Sequence, residues 1–147
     1  MVNKIVAVIP ARMDSSRYPG KPLLNIENIP MIEHVRRRTL LCNGFSEVLI
    51  ATCDIEIKTI VESFGGNVIM TSDTHEIATE RIVEAIKNID CTHVVNVQGD
   101  EILIIPSDLN LMVKAIRNES DGTVWNAVGN INSMDDLIDP SIVNCAV

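Results

Sequence analysis

The most constraining feature of this chain is a short apolar stretch near its start, residues 4–9, with the sequence KIVAVI. Its residues are apolar and β-branched on both alternations, which is typical of a strand buried on both faces of a parallel sheet. Similar strand-like stretches follow at residues 47–52, 67–70 and 93–98. Parallel neighbours must be joined by long crossover connections, so the sequence predicts helices between these strands.

The stretches between these predicted strands carry helical sequence patterns. They are predicted at residues 30–42, 54–64, 76–89 and 106–118. Asp54 is placed to cap the second of these helices, and Asp73 or Thr74 to cap the third. Two further strands are predicted at residues 122–128 and 141–147. The alternation of strand and helix predicts an α/β fold with a mainly parallel sheet, in one domain that covers residues 1–147.

Charge is distributed unevenly along the chain. The 147 residues carry a formal net charge of −8, which argues against a general affinity for nucleic acid or anionic membranes. Residues 1–24 nevertheless hold four cations and one carboxylate, a local charge of +3, so the remaining residues sum to −11. Most of these cations lie in one loop, residues 10–22, which we call the cationic loop.

The four cysteines form no CxxC pair and do not cluster with histidine. We interpret them as reduced thiols that act as small hydrophobic side chains. The sequence shows no signal peptide and no run approaching the ~20 apolar residues that a membrane span requires. A cytoplasmic protein without membrane insertion is therefore expected.

The cationic loop carries Arg12, Arg17 and Lys21 together with the hydroxyls of Ser15 and Ser16. Guanidinium groups bind phosphate oxygens in bidentate fashion, and lysine supplies a point charge. Gly20 is also expected to let backbone amides approach a ligand. The loop does not match the Walker P-loop, because serine and proline stand where that motif requires glycine and a hydroxyl residue. Its chemistry predicts a triphosphate site, and the alternative is a solvated loop.

A second polar loop, residues 98–101 with the sequence QGDE, follows the 93–98 strand. Asp100 is well placed to hold Mg²⁺, which prefers oxygen ligands and often bridges a carboxylate to substrate phosphates. Gln98 could donate a hydrogen bond to a base or a sugar. Because the carboxyl ends of parallel strands share one edge of the sheet, both polar loops are expected to face the same crevice.

The segment 70–82, MTSDTHEIATERI, is the third candidate. Thr79 and Arg81 are placed near the first turns of its helix. His75 is expected to be a surface or capping residue rather than a catalytic base. The arginines at positions 36–38 fan around one helix and are not expected to converge on a ligand. Trp125 is expected to pack on the core or the sheet.

These three stretches, IPARMDSSRYPGKPL, MTSDTHEIATERI and VVNVQGDE, resemble in order and spacing the bacterial 3-deoxy-manno-octulosonate cytidylyltransferases. The resemblance runs through essentially the whole chain. It implies a Rossmann-like three-layer αβα fold of the nucleotide-diphospho-sugar transferase type. It also implies that a 3-deoxy sugar acid attacks the α-phosphate of CTP with release of pyrophosphate, for lipopolysaccharide biosynthesis, with Mg²⁺ as cofactor.

The resemblance also assigns roles to matching positions. It implies that Arg12, Lys21 and Asp100 carry the catalysis, with Asp100 as the Mg²⁺ ligand. Further substrate-binding positions follow from the same match: Ala11 beside the base, Ser15 and Ser16 with Arg12 and Lys21 on the phosphates, Thr79 and Arg81 at the border of the nucleotide pocket, and Gln98 on the nucleotide or the sugar.

This chain departs from the family pattern at three places. Ile102 replaces a usual proline, and residues 77–81 read IATER where the family usually has SGTDR. Family members also continue well past Val147. The C-terminal part that carries a second metal-binding carboxylate, most of the sugar-acid site and the usual dimer contacts is therefore expected to be missing.

The residues leave several alternatives open. The sugar could be another acidic one, of the sialic or legionaminic type. The chain could instead be a catalytically silent nucleotide-binding half-domain, or a plain interaction domain, which leaves the clustered cations unexplained. A homodimer that pairs through an exposed edge strand is also possible.

Overall fold

The structure, a computed structural model, describes residues 3–14, 18–119, 122–140, 142 and 145. Its strands in chain order are β1 (Ile5–Pro10), β2 (Asn25–Ile26), β3 (Ile29–Pro30), β4 (Glu47–Thr52), β5 (Asn67–Met70) and β6 (His93–Asn96). Four of these strands form a parallel sheet in the order β5-β4-β1-β6, and β2 pairs with β3 in a separate antiparallel hairpin. The parallel sheet predicted from the sequence is confirmed.

Helices cover both faces of this sheet. They are α1 (Met31–Leu40), α2 (Ile55–Ser63), α3 (Ala78–Ile86), α4 (Pro106–Asn118) and α5 (Met134–Ile138), and a short 3-10 helix spans Lys21–Leu23. One face of β1, with Ile5 and Ile9, joins a buried cluster with residues of α1, α2 and α4. Its other face, with Val6 and Val8, packs against α3. The three-layer αβα arrangement is therefore confirmed.

The central position of β1 explains its composition. Residues 5–9 are completely buried, because helices cover both faces and strands lie on both sides. Burying one Val, Leu or Ile side chain stabilises a fold by ~1.5–3 kcal/mol, so an uninterrupted apolar strand is the most stable choice at this place. At the carboxyl end of the strand the chain leaves the core, and the cationic loop begins there.

The parallel register brings the strand ends to one edge. The Ala11 amide donates to the Ala51 carbonyl oxygen at 2.9 Å, and the Val97 amide donates to the Val8 carbonyl oxygen at 3.0 Å. The chain therefore leaves β1 between the polar segments that follow β4 and β6. The expectation that both polar loops share one crevice is confirmed.

Three sequence-based expectations differ from the structure. Residues 122–128 form no strand: the described sheet ends at β6, and this segment is not paired with it. The third helix begins at Ala78, with Ile77 at its N-cap, so neither Asp73 nor Thr74 caps it. Asp54 does occupy the N-cap of α2, but its side chain makes no capping hydrogen bond. The strand predicted at 141–147 falls mostly outside the described residues.

Candidate functional site

A cavity of about 300 Å³ lies at the carboxyl ends of β1 and β6. We call it the site cavity, and it is lined by Pro10, Ala11, Arg12, Asp14, Lys21, Pro22, Met31, Gln98, Gly99 and Asp100. Five of the residues singled out from the sequence are therefore brought together here, from segments nearly 80 positions apart: Ala11, Arg12, Lys21, Gln98 and Asp100. Asp14, which the sequence interpretation gave no role, lines the same cavity.

The two polar loops are joined by an ion pair between Lys21 and Asp100. The Lys21 Nζ lies 2.6 Å from Asp100 Oδ2, and the two side chains are 41% and 48% exposed. The cation expected to meet phosphate and the carboxylate expected to bind metal are thus in direct contact. Solvent exposure keeps the pair weak, so a ligand of either charge can compete for its partner.

Gly99 allows the QGDE loop to approach the end of β1. A Cβ atom at this position would lie 2.6 Å from the Pro10 carbonyl oxygen, which is backbone and has little freedom to move. Only glycine fits at this distance. The close approach sets Gln98 and Asp100 beside Ala11, on the floor of the site cavity.

Gly20 has a different role from the one expected. Its amide donates to the Met13 carbonyl oxygen at 2.8 Å, so that amide is engaged inside the loop. Its φ of +77° lies in the left-handed region, which glycine adopts without steric cost. Gly20 therefore closes the cationic loop and directs Lys21 towards the cavity.

Arg12 lines both the site cavity and a smaller cavity of about 180 Å³. Its side chain is exposed, and no acidic side chain of the described residues forms a salt bridge with it. A guanidinium that lines two cavities and has no acidic partner among the described residues is well suited to bind an anion. Residues 10–12 and Arg81 are among the residues that line the smaller cavity.

Arg81 is buried and acts within the fold. Its Nη1 donates to Thr71 Oγ1 and to the Ser72 carbonyl oxygen, which ties the segment after β5 to α3. Glu84 reinforces this connection, because its carboxylate accepts from the Ser72 amide and pairs with His75 Nε2. These hydrogen bonds, led by that to His75, lower the pKa of Glu84 below its usual value.

Thr79 lies apart from the site cavity. It is exposed and lines a larger cavity of about 680 Å³ beside β6, which shares Gln98 with the site cavity. Trp125 borders this cavity and packs edge-on against His93, with 5.6 Å between the ring centroids. The expected packing of Trp125 against the sheet is confirmed, although the contact is at the edge of the sheet.

Ser15, Ser16 and Arg17 lie outside the described residues. The structure also shows three contacts that sequence interpretation missed: Asp14 in the cavity wall, the Glu84–His75 pair, and a hydrogen bond from the Met13 amide to the Asp54 carboxylate. In the second contact, His75 lies before α3 and nine positions from Glu84, so no helical spacing indicates it. The third contact joins residues 41 positions apart, so no local sequence pattern indicates it.

Within the described ranges, no group of three or more His, Cys, Asp or Glu side chains could hold a metal ion. No described helix is both long enough and apolar enough to cross a membrane. None of the four cysteines, all of which lie among the described residues, forms a disulfide; Cys42 is buried, as expected of a small hydrophobic side chain, whereas Cys145 is exposed.

Comparison with known proteins gives one family. The family model described as Cytidylyltransferase matches residues 6–147. The 3-deoxy-manno-octulosonate cytidylyltransferase of Escherichia coli is 44% identical over 118 residues, which are 80% of this chain and 48% of that protein. Its namesake from Geobacter metallireducens is 41% identical over 140 residues, 95% of this chain and 55% of that protein. The chain thus spans about half the length of these relatives.

Comparison with solved structures leads to the same family. A CMP:2-keto-3-deoxy-manno-octonic acid synthetase complexed with CTP superposes with a TM-score of 0.79 at 44% identity, over 81% of this chain and 49% of the other. A cytidylyltransferase from Leptospira borgpetersenii gives a TM-score of 0.73 at 25% identity, over 81% of this chain and 51% of the other. The motifs, the fold and these matches together show that the chain belongs to the cytidylyltransferase family.

Proposed function

We propose that this chain supplies the nucleotide site of an enzyme that transfers CMP from CTP to 3-deoxy-manno-octulosonate, with release of pyrophosphate, for lipopolysaccharide biosynthesis. Residues 1–147 are proposed to form a single nucleotidyltransferase domain. The observation that carries the proposal is the site cavity, where Arg12, Lys21 and Asp100 meet at the carboxyl ends of β1 and β6. Relatives of this name match both in sequence and in structure.

These residues are assigned to different parts of the substrate. Arg12 and Lys21 bind the phosphates, with Ser15 and Ser16 of the same loop, and Ala11 lies beside the base. Gln98 lines both the site cavity and the larger cavity, so it can contact nucleotide and sugar at their junction. Thr79 borders the larger cavity and Arg81 the smaller one, which supports assigning both to the rim of the nucleotide rather than to its phosphates.

The donor set fits Mg²⁺ of the kind that is bound together with a nucleotide. Mg²⁺ is usually held by one or two carboxylates plus substrate phosphates and waters, rather than by a cage of protein ligands. Asp100 supplies such a carboxylate, and Asp14 lines the same cavity. When bound, the ion would neutralise phosphate charge beside Arg12 and Lys21.

The reaction needs no covalent nucleophile from the protein. A hydroxyl oxygen of the sugar acid forms a bond to the α-phosphorus, and the bond from that phosphorus to the bridging oxygen breaks. The electron pair leaves with pyrophosphate, and the hydroxyl proton passes to solvent water. Positioning and charge neutralisation supply most of the catalysis in such transfers, and the cations at the mouth of the cavity suit that task.

Calorimetric titration with CTP, UTP and ATP in the presence of Mg²⁺ tests the nucleotide site. CTP is expected to bind and the other two to bind more weakly. Pyrophosphate release with CTP and 3-deoxy-manno-octulosonate then tests turnover, with a sialic acid as the competing sugar. Absence of binding by any nucleotide would contradict the proposal.

A second candidate is nucleotide binding without turnover. The observation that favours it is the ion pair between Lys21 Nζ and Asp100 Oδ2 at 2.6 Å, which engages the carboxylate proposed to hold Mg²⁺. CTP binding without pyrophosphate release would support this candidate. A homodimer and a cytoplasmic location stay predictions, and sedimentation at several concentrations tests the first of them.

A further inference from the structure

Asp54 makes a contact that its position in the sequence does not explain. It stands at the N-cap of α2, where an aspartate normally accepts hydrogen bonds from its own helix, yet its side chain makes none. Its Oδ2 instead accepts the backbone amide of Met13 at 2.8 Å. The carboxylate therefore acts on the cationic loop, 41 residues away in the sequence.

This contact fixes the backbone on one side of Arg12. On the other side, the Ala11 amide donates to the Ala51 carbonyl oxygen at 2.9 Å. Ala51 and Asp54 belong to the end of β4 and the residues that follow it. The backbone amides of Ala11 and Met13, the residues on either side of Arg12, are thus both held by the same neighbouring strand end.

The same contact reaches Lys21. The Met13 carbonyl oxygen accepts the Gly20 amide at 2.8 Å, and Lys21 follows immediately. Met13 therefore connects Asp54 to both cations of the site cavity, because its amide donates to the Asp54 carboxylate and its carbonyl oxygen accepts from the Gly20 amide. A hydrogen bond with a charged acceptor is about twice as strong as a neutral one, which suits a single anchor for a long loop.

Asp54 is itself held in place. Its backbone amide donates to Thr52 Oγ1 at 3.1 Å, and Thr52 is completely buried in β4. Asp54 is not among the residues that line the site cavity, so its effect on a nucleotide is indirect.

We propose that Asp54 is a positioning residue, whose carboxylate holds the Met13 amide and thereby orients Arg12 and Lys21 towards the triphosphate. Its consequence for nucleotide binding rests on the proposed function above. The hydrogen bond itself does not, so the two can be tested separately.

Two substitutions separate this role from helix capping. Asp54→Asn keeps a side-chain oxygen that can accept from Met13, and it keeps a good N-cap. Asp54→Ser keeps a good N-cap, but its side chain is one atom shorter and does not reach the Met13 amide. A capping role therefore predicts that both variants behave alike, whereas a positioning role predicts that only Asp54→Asn resembles the wild type.

The readouts are hydrogen exchange of the Met13 amide by NMR, CTP affinity by calorimetry with Mg²⁺, and the thermal midpoint. In Asp54→Ser, exchange at Met13 is expected to accelerate and the Kd for CTP to rise, each by roughly tenfold. Asp54→Asn is expected to stay within about threefold of the wild type on both readouts, and the two variants should have similar thermal midpoints.

Unchanged exchange at Met13 in Asp54→Ser, or equal CTP affinity in the two variants, would overturn the positioning role. A wild-type chain that binds no CTP would contradict the proposed function instead. In that case, exchange at Met13 still decides whether Asp54 holds the loop.

Discussion

Lys21 Nζ and Asp100 Oδ2 lie 2.6 Å apart, and this ion pair joins the cationic loop to the loop after β6. Both side chains are close to half exposed, and such pairs contribute ~0–1 kcal/mol to stability. The pair therefore contributes little to the free energy of unfolding, and its main consequence concerns ligand binding. A triphosphate that draws Lys21 to its oxygens removes this cation from Asp100, and a metal ion that binds Asp100 releases Lys21, so the two ligands are expected to bind cooperatively.

Replacing Lys21 with Ala tests the phosphate role. The CTP affinity is expected to fall by at least tenfold, because one of the two described cations that line the site cavity is lost. The free energy of unfolding should change by less than about 1 kcal/mol. Calorimetry with CTP and urea denaturation measure the two quantities.

Lys4→Ala is the matched control. Lys4 also forms an exposed ion pair, with 3.2 Å between its Nζ and Asp90 Oδ2, but it lies at the opposite end of β1. It should leave CTP binding unchanged. Equal losses of affinity in both variants would mean that general charge, rather than the position of Lys21, determines binding.

Gly99→Ala tests the close approach of the two loops. The added methyl group would meet the Pro10 carbonyl oxygen at 2.6 Å, so the backbone must shift. We expect a loss of about 1–3 kcal/mol in the free energy of unfolding, together with weaker CTP binding. Gly129→Ala is the control, because its added Cβ meets nothing within 4 Å. Similar urea midpoints for both variants would contradict the steric argument.

The sheet and the site cavity could be predicted because both follow from local patterns. Apolar strands such as residues 5–9 identify a parallel sheet, and parallel strands end at one edge, which brings Lys21 and Asp100 together. The expectation of a strand at 122–128, which is based on the same kind of local pattern, is wrong. An apolar β-branched run indicates only a propensity, and a strand also needs a neighbour with which to pair.

Other contacts could not be predicted, because they depend on distances that only the fold creates. Nothing near Asp54 in the sequence indicates that its carboxylate binds the Met13 amide rather than its own helix. The hairpin of β2 and β3 was also missed, since its turn places Glu27 and Asn28 at positive φ. Glutamate at such a position is uncommon, so the sequence gives little sign of the turn.

Glu33→Ala is expected to destabilise the fold strongly. Glu33 is completely buried, and its carboxylate accepts hydrogen bonds from Arg36 and Arg37 at distances of 2.7 to 2.9 Å. Removing it leaves the Arg36 guanidinium buried beside an empty space, which costs about 3–5 kcal/mol. Urea denaturation measures the loss.

Arg37→Ala is the control for Glu33→Ala. The Arg37 side chain is half exposed, so its removal should lower the free energy of unfolding by no more than about 1 kcal/mol. If both substitutions gave the same small loss, the buried carboxylate would not depend on Arg36 in the way that the hydrogen bonds indicate.

The pH dependence of stability tests the role of Glu84. Hydrogen bonds from His75 and from the Ser72 amide lower the pKa of Glu84 in the folded chain below the ordinary value of 4.5. A lowered folded-state pKa stabilises the fold above the unfolded-state value, and this stabilisation is lost as the pH falls through the folded-state pKa. The stability gap between the wild type and Glu84→Gln should therefore be full above pH 4.5 and should narrow below it.

The His75→Ala background identifies the cause of this gap. The hydrogen bond from His75 is the largest cause of the lowered pKa of Glu84, so the gap produced by Glu84→Gln should be smaller in that background at every pH above 4.5. Thermal denaturation of the four proteins across this range measures the difference as a double-mutant cycle. A gap of the same size at all pH values would show that Glu84 holds the segment after β5 through its shape rather than through its charge.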